Sequence, residues 1–147
     1  MKAAFILISL TIVFLFQFCT NRSCDLPAEI RSLLFNGYSR SSIDSSIIIK
    51  TDQMNNADTV YITADMISSQ LGYDQRLTVT LQQYLTAGNN YLIITASGQQ
   101  FEIKDFEFNT VECKESTFSR KEDILRLGAV KVNGNRVACE GKLTLYP

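Results

Sequence analysis

Apolar and polar residues along this chain follow two regimes. Ala3 to Phe18 is a nearly unbroken apolar run of sixteen residues, interrupted only by Ser9, Thr11 and Gln17. From Ile47 onward apolar residues recur at every second position, the period of a strand whose side chains alternate between two faces. Ile47-Ile48-Ile49, Val60-Tyr61-Ile62, Leu77-Thr78-Val79-Thr80-Leu81, Tyr91 to Thr95, Phe101-Glu102-Ile103, Ala129 to Val132, Arg136 to Cys139 and Leu143-Thr144-Leu145 all read as short strands. The alternation turns Val60, Ile62, Leu77, Val79 and Leu81 inward and Tyr61 outward. Ile30 to Phe35 fits a strand or a short helix equally, as Ala64 to Leu71 fits a short helix or a loop. The serine-rich stretch Ser39 to Ser46 and the charged stretch Glu115 to Asp123 read as loops, because serine and aspartate hydrogen-bond their own backbone.

Two local signals sharpen this outline. Asn133-Gly134 between alternating segments is a hairpin turn signature. At Lys104-Asp105 the alternation breaks, and Phe106 and Phe108 carry the opposite phase to Phe101 and Ile103. A bulge or corner there would return both aromatics to the core. Short strands with frequent turns and no long amphipathic helix predict an all-β domain: an antiparallel two-sheet sandwich of the immunoglobulin or transthyretin sort, with a small β-barrel as the alternative.

The leading run follows the basic Met1-Lys2 and precedes a polar segment, the layout of an export signal helix. It is short for a bilayer span, which takes roughly 20 apolar residues. The expected organisation is a leader over 1–19, a tether over 20–29 and a β domain over 30–147. Cys19, placed directly after the apolar run, resembles the lipid-attachment cysteine of bacterial lipoproteins, although Phe18 stands where that family has a small residue. Leader, Cys19, short tether and strands ending in a Val-Asn-Gly hairpin together resemble small exported bacterial lipoproteins with a β-sandwich domain. The resemblance implies export and membrane anchoring, facing the periplasm or the cell exterior. An uncleaved signal anchor is the other route to that place.

Charge changes little. Leaving out Lys2, 13 basic residues face 15 acidic ones. They are scattered, which excludes the basic face that nucleic acid requires. The cysteines are Cys19, Cys24, Cys113 and Cys139. An exported chain can pair them. Cys113 and Cys139, each in phase with apolar neighbours, are the expected disulfide.

Candidate chemistry is narrowed by exclusion. With no histidine in the chain, serine–histidine and cysteine–histidine catalysis and histidine metal sites are unavailable. No metal or cofactor site is expected. Asp105 with Glu107, and Glu112 with Glu115, are carboxylate pairs of the kind that serve glycoside hydrolysis, or simply solvated strand faces. Asp44, Asp52, Asp58, Asp65 and Asp74 are too dispersed for a calcium loop and suit turns instead. Tyr61, outward on its strand, is a candidate contact residue. Ala96-Ser97-Gly98-Gln99-Gln100-Phe101 is similar to the Ser-Gly-x-x-Tyr stretch of membrane-bound inhibitors of c-type lysozyme, with Phe101 in place of the tyrosine. That resemblance implies a contact role for Ser97. The expected function is a membrane-tethered, non-catalytic binding or structural module with an envelope protein as partner. An inhibitor of lysozyme or another envelope-directed enzyme is the alternative, and a carboxylate-based hydrolase a further one.

Overall fold

β-branched and alternating segments become strands wherever one face can be buried. In the computed structural model, which describes residues 27–69, 76–113 and 122–147, they form ten strands. These are β1 (Ile30–Asn36), β2 (Ile47–Thr51), β3 (Ala57–Tyr61), β4 (Ile67–Ser69), β5 (Arg76–Leu85), β6 (Asn90–Ile94), β7 (Gln100–Cys113), β8 (Glu122–Val132), β9 (Asn135–Ala138) and β10 (Lys142–Leu145). One helical turn, α1 (Arg40–Ile43), and a 3-10 turn (Ala64–Met66) complete the described elements. Ile30 to Phe35 is thus strand rather than helix. Ala64 to Leu71 holds the 3-10 turn and β4. Glu122 and Asp123 open β8 rather than closing a loop.

The strands form two sheets and no closed barrel, ordered β10-β1-β5-β4 and β3-β2-β6-β7-β8-β9. The expectation of purely antiparallel pairing needs correction. β1 runs parallel to β10, from Ser32 against Lys142 to Phe35 against Leu145. Hairpin signals report only neighbours in sequence, and β1 and β10 lie at opposite ends of the domain. By chain contacts there are two compact units, Met1–Asp25 with Val111–Ile124 and Leu26–Thr110 with Leu125–Pro147. Of the first, only the end of β7 and the start of β8 are described. The leader, Cys19 and the expected tether up to Leu26 lie outside the described residues, as do residues 114–121 with Glu115 and, farther back, Asp74.

Both sheets of the second unit contribute to one hydrophobic core. Leu33 and Phe35 of β1, Val79 of β5 and Leu143 of β10 join Ile93 of β6, Ile103 of β7 and Leu127 of β8, all fully buried. Phe35, Tyr38 and Phe101 meet edge to face, with centroids 5.5 to 6.4 Å apart, the arrangement that ring quadrupoles favour. Burial pushes the Tyr38 phenol above its ordinary pKa, and its hydroxyl donates to Gln99 Oε1 at 2.5 Å.

The phase break in β7 is a backbone feature. Asp105 adopts φ +52°, and Phe106 turns back onto the core, 6.1 Å from the Tyr91 ring. The correction returns one aromatic and not both, since Phe108 stays 36% exposed. The Asn133-Gly134 turn is present, with positive φ at both residues and Val132 paired to Asn135. Asn133 also ties the turn to β7: its backbone N–H donates to the Glu102 carbonyl, its Oδ1 accepts from the Glu102 N–H at 2.7 Å, and its Nδ2 donates to the Gln100 carbonyl.

Gly141 marks the crossing from β9 in one sheet to β10 in the other. Its φ is +73°, and a Cβ there would run into the Pro27 ring. Its carbonyl accepts from the backbone N–H groups of Arg31 and Ser32 at 2.9 and 3.3 Å. Gly141→Ala should therefore lose more stability than Gly98→Ala, where φ is +87° but nothing stands within 4 Å of the added carbon. The left-handed conformation alone costs about 1–2 kcal/mol. Chemical denaturation of the two variants measures the difference, and equal losses would show that the Pro27 contact is immaterial.

Candidate functional site

β5 is longer than the β1 segment it pairs with. Ser32 faces Thr80 and Ile30 faces Leu85, so two steps along β1 answer five along β5. The three extra residues of β5 break the ladder over Leu81 to Tyr84 and leave Arg31 opposite them. On its other edge β5 has β4 only as far as Val79, which pairs with Ile67. This stretch is therefore irregularly paired on one side and uncovered on the other. Inward phase along β5 runs Leu77, Val79, Leu81, Gln83 and Leu85, and Gln83 alone of these is exposed.

A cavity of about 200 Å³ opens at that point. Leu81 and Leu85 of β5, Ile48 of β2, Val60 of β3 and Met66 of the 3-10 turn form its apolar wall, and Gln82, Gln83 and Lys50 line it as well. Ile48 pairs with Val60 and with Ile93, which fixes the inward face of β2. Lys50, two residues on, shares that face opposite buried Tyr91 and remains half-buried. It forms no ion pair within 4 Å among the described residues. The Tyr91 hydroxyl is engaged, accepting from the Thr86 N–H at 2.9 Å. Tyr84 stands beside the cavity with the Arg31 guanidinium 5.3 Å from its ring centroid.

A second, more open depression of about 300 Å³ is lined by Asp52, Gln53, Asn89, Asn90, Asp105 and Phe106 among others. Asp52 accepts from the backbone N–H groups of Met54 and Asn56 and from Asn56 Nδ2, at 2.8 to 2.9 Å. The Asn56 side-chain bond leads in holding its carboxyl below the usual range. Asp52 thus fastens a turn, as its place in the sequence suggests. Among the described residues no three histidine, cysteine or acidic side chains cluster as metal ligands would.

The structure disperses the residues singled out from the sequence. Tyr61 points outward on β3 and is 64% exposed. Ser97 lies exposed in the β6–β7 turn, its Oγ 2.9 Å from Thr95 Oγ1, which also accepts from the Gln99 N–H. Asp105 and Glu107 share a strand face, and each meets its own cation: Lys131 Nζ at 2.9 Å and Arg136 Nε at 2.7 Å. The Lys131 hydrogen bond and charge lower the Asp105 pKa, the opposite of what a general acid needs. The expected Cys113–Cys139 disulfide does not form. Cys139 is a free thiol, 3% exposed, whereas Cys113 is disulfide-bonded.

Sequence reading passed over Lys50, Gln83 and Leu85. Two signals pointed to them: a lysine in the apolar phase of β2 and a glutamine in the apolar phase of β5. No family model, curated protein or solved structure matches the chain.

Burial, aided by the Glu140 charge, pushes the Cys139 thiol up to about 11 from 9.0. Native Cys139 should resist alkylation at pH 8 and react once the chain unfolds, as peptide mapping by mass spectrometry will show. Below pH 9 the folded and unfolded thiols both hold their proton. Between about 9 and 11 the unfolded thiol loses it first, so stability falls as pH rises. Cys139→Ala should flatten that decline by about 1–3 kcal/mol; an unchanged decline would mean that the thiol is not the group responsible.

Proposed function

We propose that the chain is an exported, membrane-tethered, non-catalytic module of the cell envelope, and that its β domain, a sandwich of the immunoglobulin or transthyretin sort, serves to bind. The observation that carries this reading is the cavity beside the β5 irregularity. The irregular stretch of β5 sets two glutamines beside an apolar recess that Lys50 of β2 also lines. Binding pockets combine an apolar lining with a few placed polar groups in this way. Of the carboxylates that would support hydrolysis, Asp105 and Glu107 are instead each engaged by a neighbouring cation. Anchoring rests on the apolar leader and on Cys19 as the lipid-bearing residue. No helix among the described residues is long and apolar enough to cross a membrane.

Full-length protein, purified from envelope extracts without denaturation, should retain a bound component visible by native mass spectrometry. Turnover of an envelope substrate with nothing retained would overturn the reading. Mass spectrometry of the mature amino terminus should find acylated Cys19; an intact leader beginning at Met1 would replace lipid attachment with a signal anchor.

A further inference from the structure

We infer that the cavity between β2, β3 and β5 is a binding site for a small amphiphile: one apolar group of about six to eight carbons carrying a carboxylate head. This rests on the proposed binding role and names the ligand class.

Size sets the apolar part. An engineered apolar cavity of about 150 Å³ accepts benzene, and the recess here holds about 200 Å³. A ring with a short substituent or a short acyl chain fills it; a long fatty chain does not. Its wall of Ile48, Val60, Met66, Leu81 and Leu85 offers such a group no hydrogen bond, so the tail is held by exclusion from water.

Charge sets the head. Among the described residues lining the recess, Lys50 alone is charged. It sits on the inward face of β2, yet no carboxylate among the described residues forms an ion pair with it. Asp58 is its register partner on β3 without forming an ion pair, and Asp52 is fastened to Met54 and Asn56. A half-buried ammonium at the edge of an apolar recess, with the Asp52 charge nearby but no ion pair formed, favours an anion whose tail lies inside. A carboxylate accepts from Lys50, and the amides of Gln82 and Gln83 provide further donors.

The test uses full-length protein in lipid nanodiscs with labelled Ile, Leu and Val methyl groups, and empty nanodiscs as the control. Titration with millimolar hexanoate should shift the methyl signals of Ile48, Val60, Leu81 and Leu85 saturably, and acetate should not. Lys50→Met should weaken hexanoate binding about three- to tenfold while leaving the weaker binding of hexanol unchanged. Val60→Phe, with a native-like methyl spectrum showing that it folds, should abolish both by filling the recess. Absence of saturable shifts, or equal hexanoate affinity in Lys50→Met, would overturn the assignment. If an extended peptide binds Val60→Phe as well as the parent chain while hexanoate binds neither, the free edge of β3 is the site instead. A component retained from the envelope, with no hexanoate shifts, would end this assignment and leave the broader binding role standing.

Discussion

β1 is hydrogen-bonded along both edges, antiparallel to β5 and parallel to β10, while Ile30, Leu33 and Phe35 are withdrawn completely from water. The second unit depends on this strand. It joins the two ends of the domain, because β10 can lie beside it only after the chain has crossed from the six-stranded sheet at Cys139 to Gly141. It also reaches the opposite sheet through Phe35, whose ring meets Phe101 of β7 and Tyr38 of the following loop. Contacts so distant in sequence are slow to form and costly in chain entropy. A dense buried surface is what makes them worth forming.

The same strand explains the cavity. β1 is regular where it meets Leu77 to Thr80 and loses register where it meets the rest of β5. The slip sets Leu85 opposite Ile30 and leaves Leu81 to Tyr84 out of the ladder beside the recess that Leu81, Leu85 and Ile48 line. Bulges commonly re-aim side chains near functional sites. Here the irregularity also leaves Gln83 exposed in the otherwise apolar phase of β5.

How much of this was legible depended on the range of each signal. Period two located most strands, because it reports a property of each strand alone. The phase change at Asp105 was readable because both phases lie within one segment, and the Asn133-Gly134 turn because its two residues carry their own backbone preference. The parallel partnership of β1 with β10 was not, since no local pattern encodes the direction of a distant strand. The register slip in β5 becomes visible only against β1. The cysteines show the same limit: apolar phasing announced that Cys113 and Cys139 are buried, and both are. Burial, however, says nothing of distance or orientation, and those are what a disulfide depends on.

The free thiol of Cys139 bears on the order in which the chain matures. In the unfolded chain it is as able as any other cysteine to attack the disulfide of Cys113 or to compete for its partner. Only the sealed crossing, where the Cys139 N–H donates to the Gly128 carbonyl and the Gly141 carbonyl holds the start of β1, removes it from exchange. Oxidation before that crossing closes can trap a scrambled isomer; oxidation afterwards meets a buried thiol. Closing that crossing thus shields the disulfide of Cys113 from exchange with Cys139.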